Sequence, residues 1–348
     1  MLPLTLRTSF THLLLRAILL TSLLIAGCAP TPAGTKSLTP TPMDSTQMPS
    51  PVPSATSTSI PLPGKLILVA GSTIDPALKS LLTELAGQTG LSLDVKPSLS
   101  GESIPPEWKI VVFQSSPADL AQLAAASPAT QFVTISAEKT EPAPNVSAII
   151  LHPDQEAFLS GYISAMVTPD WRLGALMPND TPNSQVFSDA FKNGSAYFCG
   201  ACRSALSPIL SFPLVAALPA GSDLAAWQGA IDEMHKSIVY ALYISPEINN
   251  PELLHDQAAK KTILIGGKTP PAENKARWAA TIRADIPSAL RQMWPDLLAG
   301  NGGKAVDAPI LVTDIQESLL GLGKQKLVEN LRKNLASGQV YPLTTPAQ

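Results

Sequence analysis

The chain has 348 residues, 45% of them hydrophobic, enough apolar material for one large core or two medium ones. Its formal net charge is −3 with 15% charged residues, so no electrostatic bias draws it to nucleic acid. Its 34 prolines are unevenly spread, and their clustering marks the first boundary.

Arg7 and Arg16 flank a leucine-rich run, Ala17 to Ile25, that ends in Ile25-Ala26-Gly27-Cys28. A basic start, a short apolar run and small residues before a cleavage point form an export signal over 1–27. The run is too short for a membrane span. Ile-Ala-Gly-Cys also resembles the bacterial lipobox, after which the cysteine is lipidated and opens the mature chain. The expectation is a lipoprotein held at the extracytoplasmic face of the cell membrane by palmitate-type acyl chains on Cys28. Residues 28–63 then form a Pro/Thr/Ser linker with almost no large apolar groups, expected to be a disordered tether. As flexible coil it reaches on the order of 30 Å. The folded part begins near Gly64.

Lys65 to Ala70 reads as a buried strand, followed by a loop at Gly71-Ser72-Thr73. Asp75-Pro76 opens a helix, with Asp as cap and Pro at the first position; Leu78, Leu81, Leu82 and Leu85 form its stripe and Gly90 stops it. Further strands are expected at Leu91–Val95, Lys109–Phe113, Gln131–Ile135 and Ser147–Leu151, with Ser116-Pro117 starting a helix that carries Leu120 and Leu123. In such a sheet the strand C-termini face a common crevice, which makes Ser72, Thr73, Gln114 and Ser115 candidate ligand contacts.

From Asp154 to about Val167 a helix is expected, with Phe158, Leu159, Tyr162, Ile163 and Met166 on one buried stripe. A strand at Leu173–Met177 follows, then Asn179-Asp180, read as the cap of the next helix, which closes on Asn193-Gly194. Cys199 and Cys202 stand at CxxC spacing, but they follow a helix end, not a first strand; in an exported chain a small local disulfide is the plainer reading than a redox motif. The 4 histidines are scattered singly, so no metal site is expected. Ser222 is read as the cap of a helix with Trp227, Ile231 and Met234 inside, before a strand from Ser237 to Ile244. Tyr240 and Tyr243 are three apart and face opposite sides of that strand, so at most one reaches the crevice; core packing is the plainer reading for both. Strands at Thr262–Ile265 and Ala279–Ile282 end in Gly266-Gly267-Lys268 and Arg283. Two amphipathic helices follow, with Ile286, Leu290, Met293, Trp294 and Leu297 inside one and Leu327, Val328, Leu331 and Leu335 inside the other.

Strand, helix, strand, helix in short succession means parallel strands with right-handed crossovers. The expected architecture is α/β: two Rossmann-like lobes with parallel sheets joined by a hinge, closing on a ligand. Lobe 1 takes 64–152 plus about 286–303, and lobe 2 takes 153–285 plus about 304–342.

Read with these residues in view, the chain resembles the basic membrane protein family of lipoproteins over roughly Gly64 to Val340. Gln155-Glu156-Ala157-Phe158-Leu159-Ser160-Gly161-Tyr162 is similar to the family's E-G-x-F-L-A-G-x segment. Arg172 to Leu176 stands where the family has its K-I-G-F-V strand, and Phe187 to Gly194 resembles its F-x-x-G-F-x-A-G helix. The resemblance implies a type I periplasmic-binding-protein fold, a purine-nucleoside-type solute, an ABC permease as partner and no cofactor. The chain departs from the family at its ligand positions. Gly71-Ser72-Thr73-Ile74 replaces an aspartate and a phenylalanine-asparagine pair, and Lys268 replaces the aspartate that grips the ribose hydroxyls; Arg283 keeps the late strand's positive charge. A cation with only donors replaces an acceptor, which suits a carboxylate or phosphate better than a ribose.

The reading is therefore a monomeric, lipid-anchored solute-binding protein of an ABC importer, not an enzyme, with Ser72, Thr73, Gln114, Ser115, Tyr243, Ser245, Lys268 and Arg283 as cleft candidates. The alternative is a surface lipoprotein that uses the same fold as a sensor or interaction module. Nucleophile, histidine and acid are nowhere spaced as a catalytic set.

Overall fold

The structure is a computed structural model and describes residues 64–71, 74–99, 103–138, 140–248 and 250–343. The export signal, Cys28, the linker, Ser72 and Thr73 lie outside the described residues.

The first sheet is built from β1 (Lys65–Val69), β2 (Ser92–Lys96), β3 (Trp108–Phe113), β4 (Gln131–Ser136), β5 (Val146–Ile150) and the late β11 (Ala305–Asp307). Its six strands run in the order β11-β5-β4-β3-β1-β2, all parallel. The central strands are apolar on both faces because helices cover both. On one face α1 (Pro76–Thr89) and α7 (Ile286–Leu298) bring Leu82, Leu85, Leu290 and Trp294 against Leu66, Leu68 and Val112. On the other, α2 (Leu120–Ala126) packs Leu120 and Leu123 on Phe113 and Phe132. The start of α1 follows from its sequence: the Asp75 carboxylate accepts from the N–H groups of Ala77 (2.8 Å) and Leu78 (3.4 Å), and Gly90 ends the helix at φ +71°.

The second sheet contains β6 (Leu173–Pro178), β7 (Leu214–Leu218), β8 (Ala241–Ile244), β9 (Ile263–Gly266), β10 (Trp278–Ala284) and β12 (Ile310–Thr313). Its six strands run β12-β10-β9-β8-β6-β7, parallel except for β12 against β10. Around it lie α3 (Pro153–Val167), α4 (Ser184–Cys199), α5 (Leu224–Lys236), α6 (Pro251–Ala259) and α8 (Leu322–Ala336). The chain passes between the sheets after β5, after β10 and after β11. Among the described residues no helix is long and apolar enough to cross a membrane.

Several expectations need correction. The last return to the second sheet falls after Asp307, not near Gly303, because β11 pairs with β5; a strand of Ala-Val-Asp is too short to show a pattern. Helix α3 is buried on every side from Ala157 to Val167, not along one stripe, since β8, β9, β10, α4 and α8 surround it. Helix α4 does not close at Gly194 but runs on to Cys199. Gly194 and Gly161 are where α3 and α4 touch backbone to backbone: a Cβ at Gly194 would sit 1.9 Å from the Phe158 carbonyl oxygen, and one at Gly161 2.0 Å from that of Phe191. These glycines serve close approach, not termination.

Asn179 and Asp180 do not cap α4. They bind the carbonyl of Ala217 (3.1 Å) and the N–H of Ala220 (2.9 Å), tying β6 to the end of β7. Asp223, not Ser222, caps α5, and α2 begins at Leu120 rather than at Pro117. Only Ala241–Ile244 of the expected Ser237–Ile244 strand is strand. Ser237 ends α5 and Ile238, at φ +58°, turns the chain, which leaves Tyr240 44% exposed and outside the core. Helix α6 was not anticipated.

A disulfide joins Cys199 to Cys202. The segment after it is latched by Arg172, which is 2% exposed. Its guanidinium donates to the carbonyls of Leu206 (2.6 Å), Pro208 (3.2 Å) and Ser237 (3.0 Å) and to the Asp170 carboxylate (3.0 Å). A buried guanidinium needs such a full set of acceptors to offset its lost hydration.

Candidate functional site

The C-terminal ends of both parallel sheets open onto one cleft of about 1020 Å³. Ligands in open α/β sheets bind in this position, because loops after successive strands converge there while the strands hold them rigid. The first sheet supplies residues after β1, β3, β4 and β5, among them Asp75, Gln114 and Leu151. The second supplies Met177 and Pro178 from β6, Phe187 from α4, Ser245 and Glu247 after β8, Lys268 after β9, and Arg283 near the end of β10.

The cleft brings Gln114, Ser245, Lys268 and Arg283 together. Ser115 is exposed and does not line it. Tyr243 lies beneath the cleft instead of in its wall: it is 2% exposed, with its ring 5.8 Å from that of Phe187 and 5.5 Å from that of Phe191. Its hydroxyl shares hydrogen bonds with the hydroxyls of Ser160 and Ser245, and burial, then the charges of Glu247 and Glu156, push its pKa well up. Phe187, stacked on this ring, gives the cleft an apolar, planar patch.

Glu156, in the first turn of α3, also reaches the cleft. The residue as a whole is half-buried, but its carboxyl is enclosed by protein; that burial, with the charges of Glu247 and Asp154, pushes its pKa up to about 8, against the N–H of Ala284, which donates to it. At neutral pH this acid is therefore mostly protonated. Glu247 is exposed and accepts a short hydrogen bond from the Ser245 hydroxyl.

The two cations differ from these acids in their setting. The Lys268 side chain is exposed, while its carbonyl accepts from the buried Thr281 hydroxyl (3.2 Å), which in turn accepts from the Trp278 indole (2.9 Å). The loop carrying Lys268 is thus fixed from below. Arg283 is half-buried, and its guanidinium meets no acceptor among the described residues.

Glu156 and Phe187 were missed as site residues, since both sit inside segments read as packing motifs. A signal existed for Glu156: a carboxylate at the start of an otherwise apolar helix that opens at the sheet edge.

No family model matches the chain, and no curated protein matches it. Solved structures do. The solute-binding protein of an ABC transporter system from Conexibacter woesei has a TM-score of 0.58 at 20% identity, covering 80% of this chain and 98% of that one. An ABC transporter solute-binding protein from Aeropyrum pernix has a TM-score of 0.62 at 15% identity, covering 82% and 95%. A transcriptional activator of the comK gene from Bacillus halodurans has a TM-score of 0.59 at 9% identity, covering 80% and 99%. At these identities the likeness is one of fold: two α/β lobes of the periplasmic-binding-protein type I architecture.

Proposed function

We propose that this protein is a solute-binding protein, lipid-anchored through Cys28, whose two lobes close on a small polar molecule and hand it to an ABC permease. The observation that carries the reading is the cleft itself, where both sheets point their C-terminal strand ends at one space lined by polar, charged and aromatic side chains. Closure would be driven by contacts that the solute makes to both lobes only in the closed state. The resemblance to the basic membrane protein family suggests a nucleoside. The departure at Lys268, beside the positive charge kept at Arg283, favours a charged solute instead.

A second reading, a sensor or interaction module without transport, draws support from the comK activator, which has the same fold. The test is a thermal-shift screen of the chain against sugars, nucleosides, amino acids and organic anions. A ligand that binds only the folded state adds about 2.7 kcal/mol at a hundredfold excess over its dissociation constant, a shift of several degrees. The reading expects one chemical class to give that shift; silence across all classes overturns it in favour of the module.

A further inference from the structure

The cleft holds three acids, Asp75, Glu156 and Glu247, and two bases, Lys268 and Arg283. Asp75 is taken up in capping α1, and the other four do not neutralise one another. Among the described residues no ion pair or side-chain hydrogen bond links any of the acids to any of the bases. Elsewhere charges pair readily, as in Arg291 with Glu84 (2.8 Å), Lys260 with Asp232 (3.0 Å) and Arg332 with Glu329 (2.7 Å).

The acids stand together. Glu156 enters from the start of α3 and Glu247 from the loop after β8, close enough for the charge of one to act on the other, with the Tyr243 hydroxyl below both. The bases stand on the adjoining strands: β9, which precedes Lys268, is flanked by β8 on one side and by β10, which carries Arg283, on the other. Phe187 and Met177 supply apolar wall. A neutral solute would desolvate these groups without giving the Glu247 carboxylate a cation or the Arg283 guanidinium an acceptor, which is unfavourable.

Resting on the solute-binding reading, we propose that the cleft takes a zwitterion of the α-amino-acid class. Its ammonium lies between Glu156 and Glu247, its carboxylate meets Arg283 and Lys268, and its side chain rests against Phe187. A guanidinium and a carboxylate match bidentately, and charge-assisted hydrogen bonds are the strong ones. An ammonium beside Glu156 favours the ionised carboxylate, so binding at neutral pH releases a proton from that group. Asp154, on the same turn of α3, and Glu247 are the other acids acting on it.

The test titrates the 348-residue chain with the standard α-amino acids, and then with the deaminated acid and the decarboxylated amine of whichever binds. The expected result is calorimetric binding of an intact zwitterion, with each half-analogue weakened by about tenfold or more. Repeating the titration in buffers of different ionisation enthalpy should reveal proton release, lost in Glu156→Gln. Arg283→Ala and Glu247→Gln, checked for unchanged circular dichroism, should each weaken binding by a similar factor. A sugar or nucleoside that binds while every zwitterion fails, or an amino acid whose binding ignores all three substitutions, overturns this inference and leaves solute binding standing. No binding by any class overturns both.

Discussion

The two sides of the cleft are unlike. On the first lobe the polar groups at the strand ends are already engaged in holding that lobe together: the Asp75 carboxylate caps α1, and the Gln114 side-chain carbonyl accepts from the Asp75 N–H (3.0 Å). Leu151 and Ala137 complete that wall with apolar surface. On the second lobe Lys268 and Arg283 reach the same space with charges that no opposite charge meets among the described residues, and Glu156 reaches it with a carboxyl that burial keeps mostly protonated. On the solute-binding reading one lobe presents the recognition chemistry and the other a cover. A solute would engage the second lobe first, and the first lobe would close over it, adding contact area and excluding water.

The comparison breaks most completely if the frame of the second lobe is lost. Gly194→Ala drives a methyl group to 1.9 Å from the Phe158 carbonyl oxygen, and that backbone cannot yield without separating α3 from α4. Overpacking of this kind costs about 3 kcal/mol or more. Urea unfolding should show that loss, and Gly161→Ala should match it. On the first lobe's edge Gly71→Ala meets nothing within 4 Å and should leave the midpoint unchanged. Equal effects at Gly194 and Gly71 would mean that the α3–α4 contact does not hold the second lobe in shape.

A second effect separates the lobes by pH. Glu156 has its folded pKa raised to about 8 from an ordinary 4.5. The folded protein therefore holds a proton that the unfolded chain has released, and the contribution of this group is full below pH 4.5 and is lost as pH rises through 8. Stability should fall across that window by at most about 1.4 kcal/mol per pH unit and then level off. Glu156→Gln keeps a neutral side chain in place, so its urea midpoint should decline less between those limits. A wild-type and variant slope that coincide would show that the carboxyl titrates as an exposed one.

The division between lobes was only half visible in the chain. Strand order and the sheet edge could be read because apolar runs end in Gly266-Gly267-Lys268 and in Arg283, so both cations were placed correctly at strand ends from local pattern. Asp75-Pro76 announced the cap that occupies the first lobe's edge. The role of Gly194 was hidden, because close helix approach is a property of two segments and its partner Phe158 lies on another helix. Tyr243 and Glu156 were obscured for the same reason: one is covered by Phe187 and Phe191, and the other acquires its environment from Glu247 and Ala284, far along the chain.

The smallest expected effect sharpens the contrast from the first lobe's side. Gln114→Ala removes the acceptor of the Asp75 N–H at the start of α1, a partly buried hydrogen bond of 3.0 Å. The cost should be about 1 kcal/mol, since the N–H is near enough to solvent to regain some hydration. If the first lobe is a cover, this variant lowers the unfolding midpoint slightly while solute affinity changes less than about threefold, within the scatter expected for a contact not shared with the solute. A loss of affinity comparable to that of Arg283→Ala, at unchanged stability, would instead make Gln114 a ligand contact. Recognition would then be divided between the lobes, and the solute would have to bridge them before closure.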